Sequence, residues 1–169
     1  MDTVWAQAFD AERAVNEDHV AAAVLVDMRS FFDMFHHGTL KHRAQKAGFP
    51  ASISRLALGA YRAPRLIVQD GYVSPPLRTS RGVVAGCGFA MTFVKIYCEQ
   101  PFLRFCKRHP KVTFDAYVDD LTIATSVPTA RELSKTLAAA ATDLYALILS
   151  ELHCDVAKEN PPSSPVTPN

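Results

Sequence analysis

The sequence predicts an α+β fold, a small antiparallel sheet packed on helices, and three observations carry that expectation. The run AAAVLVD (21–27) is continuously apolar up to its final charge, as a strand would be. FDAYVDDLTIA (114–124) places β-prone residues on both sides of an acidic centre, the pattern of a tight hairpin. Between Thr129 and Ser150, Leu133, Leu137, Ala141, Leu144 and Ile148 fall on one stripe of an amphipathic helix. The 169 residues suffice for one domain with a core, and are too few for two ordinary ones.

The remaining elements follow in chain order. Val4, Trp5, Ala8 and Phe9 recur at helical spacing, predicting a helix within residues 1–20 that is broken at Asn16 to Asp18. The 21–27 strand is apolar at every position before Asp27, with β-branched Val24 and Val26, which predicts burial on both faces. HHGTLKHRAQKAGFP (36–50) reads as a short helix closed by Gly48 and Pro50, and SISRLALGAYRAP (52–64) as a second one ending before Pro64. In RLIVQDGYVSPPLRTSRG (65–82) the pair Asp70-Gly71 is a hairpin signal, and Pro75-Pro76 demotes the second arm to an edge strand or bulge. Phe89, Phe93, Ile96, Tyr97, Phe102, Leu103 and Phe105 predict a long buried helix, kinked or restarted at Pro101. Leu152 to Ala157 fits a last strand. Four prolines in ENPPSSPVTPN predict a disordered tail over 161–169, leaving 1–160 as one domain.

Composition excludes several classes. Eighteen basic and seventeen acidic residues leave a net charge of +1, so any polyanion site must be local. Two local groups exist: Lys41, His42, Arg43 and Lys46 on one short helix, and Arg104, Lys107, Arg108 and Lys111 further on. Both suit phosphate contacts. No apolar run approaches the roughly 20 residues of a membrane span, and MDTVWAQAFDAER lacks the features of a secretory signal. A nuclear or cytoplasmic location, without membrane contact, is expected. The four cysteines form no C-x-x-C pair and read as small buried residues; His36-His37 reads as a surface feature.

Chemistry concentrates on three carboxylates: Asp27 at a strand end, and the adjacent Asp119 and Asp120 in the hairpin. Neighbouring ionised carboxylates repel unless a cation neutralises them, and Mg²⁺ suits one or two carboxylates plus substrate phosphates. Two such ions would serve in-line phosphoryl or nucleotidyl transfer. On the dipeptide alone, a plain polar turn is the simpler reading.

The surrounding residues favour the catalytic reading. Tyr117-Val118-Asp119-Asp120 resembles the YxDD motif of reverse transcriptases, VLVDMRSFFDMF resembles their motif A, and TSRGVVAGCGFAMTF resembles motif B, in the family's order. The resemblance covers about residues 20–160 and implies a polymerase palm for RNA-directed DNA synthesis. It implies catalytic roles for Asp27, Asp119 and Asp120. The two Mg²⁺ ions, with Mn²⁺ able to substitute, would be held by those residues and the Met28 carbonyl, Asp27 and Asp119 being the main ligands.

Partners implied by the resemblance are an RNA template, a DNA primer and a dNTP. Phe32 takes the place of the ring that would collide with a ribose 2′-OH. Arg81, Gly82 and Gly86 match the motif B loop against the nucleotide, Tyr117 opens the YxDD motif, and Lys158 falls where motif D carries a lysine. Lys41, Arg43 and Lys46 would meet nucleic-acid phosphates. Ala85 stands where the family usually has Gln, and Ala90 where it has a small polar residue. Only twenty-six residues precede Asp27, with Arg13 their sole basic side chain, so the expectation is a palm with fingers and thumb largely missing. A decayed palm that binds nucleic acid without catalysis is the alternative. An RNA-dependent RNA polymerase, suggested by Asp27 with Asp33, is opposed by Phe32.

Overall fold

The computed structural model describes residues 12–157 apart from Arg13, Val15 and Ala85. Most of the expected first helix, Lys158 and the proline-rich tail lie outside the described residues.

The elements run β1 (Val20–Arg29), α1 (Phe31–Met34), α2 (His37–Lys46), α3 (Ala51–Tyr61), β2 (Val68–Gln69), β3 (Tyr72–Val73), α4 (Ala90–Arg108), β4 (Thr113–Tyr117), β5 (Asp120–Val127) and α5 (Ala130–Leu147). A π-helical turn (Ile148–Leu152) and β6 (Asp155–Val156) complete the fold. The main sheet is antiparallel in the order β4-β5-β1-β6, and β2-β3 forms a separate ribbon. Thr129 starts α5 by accepting the Glu132 N–H at 3.2 Å, satisfying one of the donors that every helix start leaves free.

Alternation in β5 fixes the sheet's orientation. Leu121, Ile123, Thr125 and Val127 are buried while their neighbours are less so, and this inner face packs on α5. Leu137, Leu144 and Ile148 of the predicted stripe are buried there. Behind them Phe35 stacks on Tyr97 at 4.3 Å between centroids, and Phe31, Phe93, Phe105 and Leu152 extend the same core. Each fully buried Leu or Phe contributes about 1.5–3 kcal/mol relative to exposure.

Three expectations need correction. The β1 strand is not buried on both faces: Val24, Val26 and Met28 face the core, but Leu25 is 79% exposed. Among the described residues α5 packs on one side of the sheet, and alternate apolar residues of β1 face the other. Pro101 does not restart the long helix, since α4 runs through it. Of the cysteines, only Cys98 and Cys154 are buried; Cys87 is half-buried and Cys106 exposed.

Arg43 accounts for the unbroken helix. Proline lacks the N–H that would bond the carbonyl four residues earlier, which here belongs to Tyr97. The Arg43 guanidinium fills that vacancy, donating to the Tyr97 carbonyl through Nη1 and to the Glu151 carbonyl through Nη2 at 3.1 Å. It also sits 4.6 Å from the Tyr97 ring centroid, within cation–π range. Arg43 is therefore turned into the fold, and the expectation of a phosphate contact from this side chain is corrected. The second basic group is largely paired as well, Arg104 with Glu151, Arg108 with Asp143 and Lys111 with Glu132.

Candidate active site

The acidic residues meet where β1 ends beside the β4–β5 turn. Tyr117 pairs with Asp120, leaving Val118 and Asp119 as a two-residue loop. Val118 has φ 59°, a left-handed backbone that a β-branched side chain rarely adopts. Such a residue stores strain of order 1–3 kcal/mol, and strained positions cluster at functional turns.

Register then decides which carboxylates face each other. Asp27 lies directly opposite Asp120, both exposed. The Met28 N–H donates to the Asp119 carbonyl at 3.0 Å, while the Asp27 carbonyl accepts from the Ala157 N–H at 2.9 Å on the other side. Asp27 and Asp120 are therefore a non-hydrogen-bonded pair, the geometry with Cα atoms about 4.5 Å apart and side chains close together. Like charges so opposed destabilise a sheet. Because N–H and C=O of one residue point to the same side of an antiparallel strand, the Met28 carbonyl is directed toward the hairpin while its side chain is buried.

Next to this pair opens a cleft of about 830 Å³, lined by Phe32, Arg81, Gly82 and Asp119 among others. Ser30, at φ 51° and ψ 37°, turns the chain sharply after β1. Phe31 consequently enters the core, while Phe32, half-buried, lines the cleft and meets Phe31 edge-on at 5.7 Å.

The opposite wall is stitched to that turn by backbone. Gly82 N–H donates to Phe35 O at 2.9 Å, Val83 N–H to Phe32 O at 2.7 Å, and His37 N–H to Ser80 O at 3.0 Å. Gly82 needs to be glycine for its φ of 99°; a Cβ there would meet only ordinary contacts with Asp33 and Phe32.

His37 is not the surface residue expected. It is fully buried, its Nε2–H donating to Gly82 O at 2.7 Å and its Nδ1 accepting from Arg62 Nε at 3.4 Å, which assigns the neutral tautomer. Burial holds its pKa below the ordinary histidine value, against the opposing effect of the Gly82 hydrogen bond and with Arg62 and Arg65 adding to the depression. The sequence does carry a signal for this role: two histidines directly follow an aromatic-rich turn, where a ring can reach a neighbouring loop.

The other candidate residues divide. Gly86 (φ 83°) and Tyr117 (75% exposed) do not line the cleft; Tyr117 borders a second groove, against α4. Lys41 and Lys46 are exposed on α2. Lys158 and Ala85 are outside the described residues.

Among the described residues no three His, Cys, Asp or Glu side chains converge as a closed metal cage. The donors available are few and hard: Asp27, Asp119, Asp120 and the Met28 carbonyl. That open oxygen set fits Mg²⁺, which keeps water and substrate phosphates among its ligands.

No protein-family model and no curated protein matches the sequence. Among solved structures, the apo telomerase from Candida tropicalis truncated from its C-terminal domain is similar, with a TM-score of 0.54 and 14% identity. The match covers 94% of this chain and 36% of that one, so the chain spans about a third of the telomerase's length. At that identity the likeness is one of fold alone, the α+β arrangement of a small antiparallel sheet on helices described above.

Proposed function

We propose that the chain carries out template-directed nucleotidyl transfer, RNA-directed DNA synthesis, as part of a larger retroelement polymerase. The observation that carries this reading is the register of Asp27 against Asp120, with Asp119 beside them on the wall of the cleft. Two Mg²⁺ ions, or Mn²⁺ in their place, would be held by Asp27, Asp119, Asp120 and the Met28 carbonyl, and would supply charge neutralisation and activation of the attacking hydroxyl.

The chain's own residues orient the reactants around that centre. Arg81 offers a guanidinium to the triphosphate of an incoming dNTP, and Gly82 lets the backbone approach it closely. Phe32 blocks the space a ribose 2′-OH would need, which favours dNTPs over ribonucleotides. Lys41 and Lys46 on α2 offer charge to the backbones of RNA template and DNA primer, with Lys158 a further donor to phosphates.

A second reading, a palm retained for nucleic-acid binding without catalysis, is favoured by Ala85 in place of the motif B glutamine. Primer extension on an RNA template with Mg²⁺ or Mn²⁺, comparing dNTPs with NTPs, separates the two. Wild type should extend with dNTPs and Asp119→Asn should not; equal signal from both removes the site. Phe32→Ala should admit ribonucleotides, and unchanged selectivity would remove the gate. Binding of the template-primer with no extension selects the second reading.

A further inference from the structure

The β2–β3 ribbon is an arm without a covering layer. Asp70 (φ 49°) and Gly71 (φ 80°) make a tight turn with both central residues left-handed, the type I′ geometry that matches strand twist. Ser74 N–H donates to Ile67 O at 2.9 Å, and Arg65 and Leu77 exchange two bonds of 2.9 Å. Between these pairs the Pro75-Pro76 segment supplies one extra residue, a bulge as the sequence predicts. Leu66, Ile67, Val68 and Val73 are exposed, and Tyr72 is 82% exposed.

Register sorts these residues by face. Gln69 opposes Tyr72 and Ile67 opposes Ser74, and alternation places Arg65 on that same face. This face runs about 13 Å from Arg65 to Gln69 at the usual strand rise. Arg65 also lines the cleft that holds Asp119 and Arg81, so the arm's root is continuous with the candidate active site.

Charge distinguishes the arm from an ordinary apolar flap. Arg65 and Arg78 are exposed, and neither forms an ion pair or side-chain hydrogen bond among the described residues. Asp70, at the far tip, is the sole acidic residue between Arg62 and Arg81. Unpaired arginines at the root with an exposed aromatic ring at the tip combine phosphate attraction with base stacking, the two terms that hold single strands.

We propose that the β2–β3 ribbon grips single-stranded nucleic acid at the mouth of the cleft, with Tyr72 stacking on a base and Arg65 and Arg78 meeting phosphates. This binding needs no catalytic centre, so it stands apart from the nucleotidyl-transfer reading.

The test is fluorescence anisotropy of a 5′-labelled oligouridylate, titrated at several salt concentrations in EDTA, which stops any metal-dependent transfer. Tyr72→Ala should weaken binding roughly 5- to 150-fold, and Tyr72→Phe should retain it. Arg65→Gln and Arg78→Gln should each lower the slope of log affinity against log salt by about 0.7. Circular dichroism checks that the variants fold, which their exposed positions permit. Unchanged affinity in Tyr72→Ala, together with an unchanged salt slope in both arginine variants, overturns the proposal. No oligouridylate binding, with self-association that Val68→Lys abolishes, also overturns it and makes the ribbon's open edges a contact between two copies.

Discussion

Replacing Arg43 with methionine keeps a long apolar stem and removes the guanidinium. The Tyr97 carbonyl then loses its donor inside α4, because Pro101 cannot provide one, and the Glu151 carbonyl loses a second. Hydrogen bonds to a charged group are worth about 1.5–3 kcal/mol, and the contact with the fully buried Tyr97 ring about 0.5–2. Allowing for non-additivity, Arg43→Met should destabilise the fold by about 2–4 kcal/mol. Urea denaturation reads this as a lower midpoint at unchanged slope. The mechanism makes a sharper demand in a second background. Pro101→Ala restores an amide N–H four residues after Tyr97, so Arg43→Met should cost less there, with a coupling of about 1–2 kcal/mol. Equal losses in the two backgrounds would refute the account, as would a single-variant loss below about 0.5 kcal/mol.

Three further outcomes are expected. In chelator, Asp27→Asn and Asp120→Asn should each raise stability by about 0.2–1 kcal/mol through relief of the opposed charges; added Mg²⁺ should raise the thermal midpoint of the wild type and not of either variant, and thermal melts with and without the ion check both. His37 has a folded pKa below its unfolded value of about 6.5, so its contribution is fully present above that pH and is lost as pH falls from there through the folded value. Urea midpoints from pH 7.5 down to about 5 should fall in the wild type and fall less in His37→Gln. Val118→Gly should relieve the left-handed strain and stabilise the hairpin by about 1 kcal/mol, read by thermal melts; a destabilisation would show that the valine contacts outweigh the backbone.

Local patterns were the legible part of this chain. The helices over 37–46, 51–61 and 130–147, the Asp70-Gly71 turn and the YVDD hairpin each rest on neighbours within a few residues, where periodicity and turn chemistry act. Features set by distant partners were not legible. Leu25 reads as buried because composition cannot say that, among the described residues, α5 packs on one face of its sheet and Leu25 points to the other. The burial of His37 depends on the Gly82 carbonyl, and the inward turn of Arg43 on an orphaned carbonyl opposite Pro101. A proline inside an apolar helix, with an arginine on a nearby amphipathic one, was a readable hint of the latter. At the candidate site the acidic trio was visible from the motif. Its pairing was not, because a single step of register decides that Asp120 rather than Asp119 stands opposite Asp27.

The stitching of the cleft's two walls bears on how the sequence can vary. The bonds joining Phe32, Phe35 and His37 to Ser80, Gly82 and Val83 are mostly peptide to peptide, with the His37 ring as the side-chain member. A backbone seam of this kind is indifferent to the identity of most residues along it. A substitution at Arg81 can therefore change what lines the cleft without moving its walls, whereas His37 and Gly82 are the points where a single replacement would open it. The scaffold thus separates shape from chemistry: tolerance to mutation is concentrated on the lining side chains, and intolerance on the buried ring of His37 and the left-handed backbone of Gly82.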